Sequence, residues 1–462
     1  MNQALLAGAL GLAVALAQAD PYPGWTLYDS FNDTQVSLVD LDGQIAHTWD
    51  TGYTPGAWLY MLDDGTLLRT EKDLDLPGPN AGGAGGRIQM IAWDGTVTWD
   101  YVLADTGIRQ HHDLEPLPNG NFLAVVWESK TRAEAQAMGR VGSGDPEVWS
   151  EAIYEIRPTG PTTGEVVWSW HVWDHLVQNV DPNLPNYGEP SDHPERIDIN
   201  YVPSTINFDW LHFNSVDYNP ELDQIIVSCH SFSELWVFSH APGASGDLLY
   251  RWGNPLAYGM GTAADQKLFK QHDPHWIKPG LDGAGDILIF NNGVARPEGA
   301  YSSVDQITPP LNPDGTYHRE PGQPFGPDAL TWTCDNIGGE PFYSGFISGS
   351  QRLPNGDTLI CVGATGEFYE VTPDCGVDWS YVPTGLQFRA ERIGVRDTRL
   401  RGLLWCPADI AEPYETLDLA DVVAFIEGYL DQNPLSDLAD PRGTWDTADV
   451  QAFVDTFLAN CP

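Results

Sequence analysis

Between residues 20 and 404 the apolar positions fall in short alternating runs, each ended by Gly, Pro, Asn or Asp. A period of two with such punctuation predicts half-buried strands, and helical periodicity is nearly absent before residue 405. One recurring unit is an apolar strand that enters an Asn-Gly or Asp-Gly turn and leaves as a second strand. It reads MLDDGTLLR (61–69), LPNGNFLAVV (117–126) and LPNGDTLICV (353–362), with GLDGAGDILIF (280–290) as a longer-looped form. The turn residues are those that tolerate positive φ. A second unit is a strand, a turn and a closing strand that ends in Trp: 36–50, 88–101, 153–170, 235–252, 368–381, and a weaker copy at 304–318 with Trp332 beyond it. Two hairpins make one four-stranded blade, so six closing units predict an all-β, six-bladed β-propeller. A pair of packed sheets is the competing architecture. Each blade would take about 64 residues, against some 40–50 in compact blades. Long loops are therefore expected around 71–87, 128–150 and 174–207.

The two ends read differently. Residues 1–19 hold an apolar run, ALLAGALGLAVAL, followed by Ala17-Gln18-Ala19, the pattern of a cleaved signal peptide. No later apolar segment is long enough to cross a bilayer. From 405 to 462, DIAEPYETLDLADVVAFIEGYL (409–430) matches DLADPRGTWDTADVQAFVDTFL (437–458) position by position, a period of 28. Each half is an acidic loop and an amphipathic helix, with Val422, Phe425, Ile426 and Tyr429 on one face of the first and Val450, Phe453, Val454 and Phe457 on one face of the second. The expected domains are thus 1–19, 20–404 and 405–462.

Composition narrows the function. With 65 acidic and 22 basic residues the formal charge is −43, which argues against nucleic acid or anionic lipid as a partner. An anionic substrate would need a local, specific cluster. Six cysteines (Cys229, Cys334, Cys361, Cys375, Cys406, Cys461) fit an exported chain with up to three disulfides, Cys406 and Cys461 bracketing the C-terminal module. The protein is expected to be secreted: periplasmic, extracellular or attached to the cell surface.

The histidines carry the candidate chemistry. His112 and His272 are each followed by Asp, and an apolar residue (Leu117, Ile277) lies five positions after each; Ser348 and Ala57 share that register in two other hairpins. His212 opens another such strand, in a less certain register. Innermost strands line the central channel of a propeller, so these positions converge although 160 residues separate His112 from His272.

HHDLEPLPNGN, DWLHFNSVDYNPELDQIIVS, LLYRWGNP, QHDPHWI, ILIFNNG and the run 349–376 occur in this order, and together they resemble the bacterial arylsulfate sulfotransferases through most of 30–385. The resemblance implies a six-bladed propeller that moves a sulfuryl group from a phenolic sulfate ester to a phenol, without a nucleotide donor or a catalytic cofactor. It implies His272 as the nucleophile, with His112 and His212 as partners and Asn214 beside the latter. A neutral imidazole would attack sulfur and leave a sulfohistidine for a second phenol to collect, while the other histidines stabilise developing charge. One departure stands out. Where better-studied members carry an Arg after the IIVS strand, this chain has His230, and Arg296 or Arg352 would be the compensating fork for sulfate oxygens. Two rival readings stay open. His111, His112, His272, Asp273 and His275 are metal-compatible ligand types, fitting a metal-dependent hydrolase or lyase. A non-catalytic propeller could instead bind a partner or glycan through Trp-rich loops. The twin C-terminal loops resemble a dockerin. That implies a cohesin-like or cell-surface partner, and calcium held by Asp409, Asp418, Asp421, Asp437, Asp446 and Asp449. The loops run one residue longer than usual, and Pro413 and Pro441 replace an acidic ligand. Helix capping by the same acids is the alternative.

Overall fold

Strands such as Gln224–Cys229, Ile287–Asn291 and Thr358–Val362 are buried at every position, whereas Val97–Val102 and Ile45–Asp50 are largely exposed. A strand buried on both faces must sit inside a stack of sheets, and a half-exposed one at its rim. The computed structural model describes residues 20–459 apart from 143–144, 202–207, 396, 404–407, 412–416, 434–435 and 440–443. It arranges these strands as six four-stranded antiparallel sheets, a six-bladed β-propeller. The inner strands are Glu391–Gly394, Pro55–Met61, Ile108–Pro116, Phe213–Asn219, His272–Trp276 and Gly349–Arg352, in blades one to six. Blade one is composite. Its inner strand comes from the end of the propeller and pairs with Gly24–Asp29, Gly24 opposite Gly394 and Leu27 opposite Glu391. The approach is close enough that a Cβ on Gly24 would lie 2.3 Å from the Ile393 carbonyl oxygen.

All six Trp-ending units form the two outer strands of a blade. Their indoles explain the repeat, because each reaches towards the next blade. Trp99 Nε1 donates to Thr163 O (3.0 Å), Trp170 to Gly246 O (2.7 Å) and Trp252 to Pro327 O (2.9 Å). Trp332 donates to Pro373 O (2.8 Å), and Trp379 closes onto Leu41 O (2.8 Å) in blade one. Trp49 departs from this scheme. It is buried against His47 and Trp93, and its Nε1 has no hydrogen-bond partner among the described residues.

Two of the expected long loops carry structure of their own. Residues 128–150 lengthen a hairpin and add the helix Arg132–Ala137, and 174–207 holds a small parallel pair, Leu176–Val177 with Ile197–Asp198. A disulfide joins Cys334 of blade five to Cys375 of blade six, and Cys229 and Cys361 are buried free thiols. Cys406 and Cys461, the leader 1–19, Pro413 and Pro441 lie outside the described residues.

Beyond the propeller, helices Leu419–Leu430 and Thr447–Leu458 pack through stacked Phe425 and Phe453 (4.1 Å between centroids). Val422, Tyr429 and Phe457 join this core, but Ile426, Val450 and Val454 are exposed, correcting the faces expected above. The core is too small for the whole apolar stripe. Asp418 and Asp446 cap the two helices, and Asp421 and Asp449 accept backbone N–H groups from the loop before each. Asp409 and Asp437 are buried. Among the described residues no group of three or more His, Cys, Asp or Glu is arranged to hold a metal ion, and no helix is long and apolar enough to cross a membrane.

The handshake by indoles is testable in pairs. Trp252→Phe strands the Pro327 carbonyl and should cost about 1–3 kcal/mol more than Trp49→Phe, which breaks no hydrogen bond. Chemical denaturation of both variants against the parent checks this.

Candidate functional site

The inner strands do not run straight to the mouth of the channel. Their pairing slips between Pro55 and Leu59, Gln110 and Leu114, Phe213 and Val216, and His272 and His275. Such bulges bend a strand and re-aim its side chains. Non-glycine residues take the left-handed region within two of these bulges, with φ of 53° at His112 and 56° at Asp273, just before a third, with 56° at His212, and directly ahead of the blade-six inner strand, with 90° at Ser348. Gly83 leans on the bulge of blade three, where any Cβ would overlap the His112 ring.

The result is a continuous ring of imidazoles. His112 lies 4.7 Å from His212, His212 5.1 Å from His230, and His230 5.4 Å from His272, between ring centroids. Phe388 completes it, 6.1 Å from both His272 and His112. His272, His112, His212 and His230 are thus brought together. Asn214 is buried beneath them and donates to Gln271 O (2.9 Å), fixing the residue before His272. Arg296 is engaged by Ser303 Oγ (3.1 Å) and the Tyr301 ring. Arg352 holds the Gly356 carbonyl and Gln306 at the turn end of its strand. Neither arginine touches an imidazole of the ring: Arg296 is engaged within blade five, and Arg352 bridges blade six to blade five.

Several residues that complete the site are not among those expected from the sequence. Asn292 accepts the His272 Nδ1 proton at 2.7 Å, and its own Nδ2 donates to Ser344 O and Ile347 O. That fixes its oxygen towards His272 and leaves the lone pair on Nε2, where the Ile347 N–H lies at 3.2 Å. Asp209 accepts the His212 Nδ1 proton at 2.5 Å and is itself held by Trp127 Nε1. Below the ring, Arg389 pairs with Asp113 (2.8 Å) and Asp273 (3.0 Å). Each of these aspartates also accepts a backbone N–H from the following blade, Val216 and Ser350 respectively. Asn292 and Asp209 do stand inside conspicuous motifs, NNG and DWLH, but Phe388 and Arg389 lie in an unremarked LQFRAE. Lys270, with Nζ on Ser231 O (3.1 Å), is near enough to oppose a proton on His230.

Burial decides protonation. It holds His111, His112 and His230 well below the usual imidazole value, helped by repulsion from neighbouring histidines, and brings His272 down to about 3. These four are neutral bases near pH 7. The ring nitrogens of His230 make no hydrogen bond with the described residues, which leaves them for a ligand.

Over residues 17–309 the chain matches the family model described as Arylsulfotransferase (ASST). No curated protein matches it. Solved structures resemble it at low identity. A protein of unknown function from Bacteroides caccae shares 15% identity, with TM-score 0.45 over 80% of this chain and 98% of that one. Apo AztD from Citrobacter koseri shares 11% (TM-score 0.36; 81% and 100%), and virginiamycin B lyase from Staphylococcus aureus 12% (0.35; 80% and 86%).

Because these imidazoles bind fewer protons folded than unfolded, their contribution to stability is complete above the unfolded value and is lost as the pH falls. For His272 that window runs from 6.5 down to about 3. Thermal unfolding should therefore show His272→Asn losing less stability than the parent between about pH 7 and pH 5.

Proposed function

Since the chain belongs to the arylsulfotransferase family, we propose that it transfers a sulfuryl group from a phenolic sulfate ester to a phenol by a ping-pong route through a sulfohistidine at His272. The observation that carries this reading is the state of that imidazole: neutral, with Nδ1–H locked onto Asn292 and the Nε2 lone pair turned to the Ile347 amide. Nε2 attacks sulfur, the S–O bond to the aryl group breaks, and the aryloxide leaves. The Asn292 oxygen then faces an Nδ1–H whose ring has become cationic, so the same contact strengthens as charge develops. The Ile347 N–H, released from Nε2, is free to turn to a sulfuryl oxygen.

His212 and His230 flank this position and supply nitrogens for the sulfuryl oxygens. The Asp209 carboxylate at Nδ1 fixes the orientation of the His212 ring. His230 stands where the family's arginine would be, with Lys270 behind it as the neighbouring cation. An imidazole and an ammonium held apart on Ser231 O grip an anion less rigidly than one guanidinium fork. Phe388 offers an apolar face for the aryl group between His112 and His272. Export and a docking role for the C-terminal module, with or without calcium, accompany the proposal: the leader-like start and the paired helices with exposed apolar residues support it.

Intact-mass spectrometry after brief mixing with 4-nitrophenyl sulfate and no acceptor tests the chemistry. A gain of about 80 daltons, one SO₃, is expected in the parent and its absence in His272→Ala. The adduct should discharge on adding a phenol. Asn292→Ala should load at least about tenfold more slowly, because the tautomer is no longer fixed. Unmodified protein with no released nitrophenol, across several aryl sulfates, would sink the reading.

A further inference from the structure

Behind the ring lie two buried groups with no part in the chemistry so far. His111 is fully buried and stacked on Trp127 at 3.8 Å, and Glu151 is equally buried. Glu151 Oε2 lies 2.8 Å from His111 Nε2, and His111 Nδ1 lies 2.7 Å from His112 Nδ1. The other Glu151 oxygen accepts the Phe213 N–H at 2.9 Å, so the carboxyl is held in place. His112 Nε2 has no partner among the described residues. The line Glu151, His111, His112 therefore runs from a sealed carboxyl to an open nitrogen in the ring.

Two lone-pair-to-proton contacts in series allow two states only. In one, Glu151 is protonated and donates to His111 Nε2, His111 Nδ1–H donates to His112 Nδ1, and His112 Nε2–H points outward as an acid. In the other, Glu151 is a carboxylate accepting His111 Nε2–H, His111 Nδ1 accepts His112 Nδ1–H, and His112 Nε2 is a bare base. The states differ by two protons moved along the line and one exchanged at its end.

We infer that Glu151 and His111 form a proton relay that makes His112 the acid of one half-reaction and the base of the other. The reaction assigned to the relay rests on the sulfuryl-transfer reading. In the first half, His112 Nε2–H protonates the departing aryl oxygen as the S–O bond breaks, His111 Nδ1–H passes to His112 Nδ1, and the Glu151 proton passes to His111 Nε2. The ester's single negative charge ends on Glu151, and the sulfohistidine is zwitterionic. In the second half the acceptor phenol gives its proton to His112 Nε2 and the shifts reverse. The acceptor oxygen bonds to sulfur and His272 Nε2 recovers its electron pair. Burial supports the parked proton: it lifts Glu151 well above the carboxylate range and keeps both imidazoles from becoming cations. His111 and Glu151 act through His112, so they are positioning residues.

Glu151→Gln separates this role from a structural one. A Gln amide donates to His111 Nε2 and keeps accepting from Phe213, but it has no proton to give. In single-turnover loading without acceptor, phenyl sulfate, whose leaving group needs a proton, should slow by about 100-fold. 4-Nitrophenyl sulfate, whose leaving group does not, should change by less than about threefold. An equal loss on both esters, or none on either, overturns the relay. His111→Phe keeps the stack on Trp127 and should show the same selectivity. If both variants misfold, the proton inventory of the parent with phenyl sulfate decides: a curved dependence on deuterium fraction is expected, and a straight line overturns the proposal. If the parent loads from neither ester, the transfer reading falls by itself. The relay is then judged by ¹⁵N spectra of the histidines: in the parent His112 should pass from the Nε2–H to the Nδ1–H tautomer as rising pH takes the Glu151 proton, and in Glu151→Gln it should stay Nε2–H throughout. A parent whose His112 tautomer does not change with pH, or a variant that changes with it, would refute the proposal.

Discussion

Everything at the mouth of the channel hangs on one buried guanidinium. Arg389 sits between Asp113 of blade three and Asp273 of blade five, and those carboxylates each hold the backbone of the next blade. Removing one partner from such a buried set leaves an uncompensated charge, which costs several kcal/mol. Arg389 lies two residues before Glu391–Gly394, the strand that closes blade one. Closing the propeller and drawing the histidines together are therefore one event. Phe388 and Arg392 belong to the same segment. The first completes the ring, and the second anchors the closure on Thr26 and Glu370.

That arrangement also explains the scarcity of free cations. Arg69, Arg251, Arg389 and Arg392 are all buried in ion pairs, with Asp29 and Glu71, Glu234, the two bulge aspartates and Glu370. A good part of the 22 basic residues thus works inside the fold, while the excess of acids faces solvent. His112, His230 and His272 are neutral by contrast, because burial makes a second proton costly there. A neutral, desolvated pocket inside an acidic coat selects its anion by directed nitrogens, with little help from long-range attraction.

The sequence carried the architecture well because its signals were local and repeated. Six Trp-ending units are six blades, and in five of them the indole does the same job at the same place. The convergence of His112 and His272 followed from a shared distance to a turn. His212 fits only because a bulge and a positive φ bring it to the ring from a shifted register, which no hairpin count reveals. Arg352 sits at the turn end of its strand, and proximity to a strand end says nothing about which end. Arg296 follows the ring end but is taken up by Ser303 and Tyr301. Glu151, Phe388 and Arg389 were illegible for a plainer reason: their partners are 40 to 276 residues away. In the C-terminal helices, amphipathic spacing located the stacked phenylalanines. It could not tell how little core there would be to cover Ile426 and Val454.

The bulges have one more consequence. His112 and His212 occupy a backbone region that costs a side-chain-bearing residue about 1 kcal/mol and costs glycine almost nothing. A glycine would relieve that strain but would leave the buried Asp209 carboxylate without His212 and His111 Nδ1 without His112. The strain is therefore held in place by the same hydrogen bonds that aim the two rings, and the backbone at the rim is a spring loaded by its own side chains.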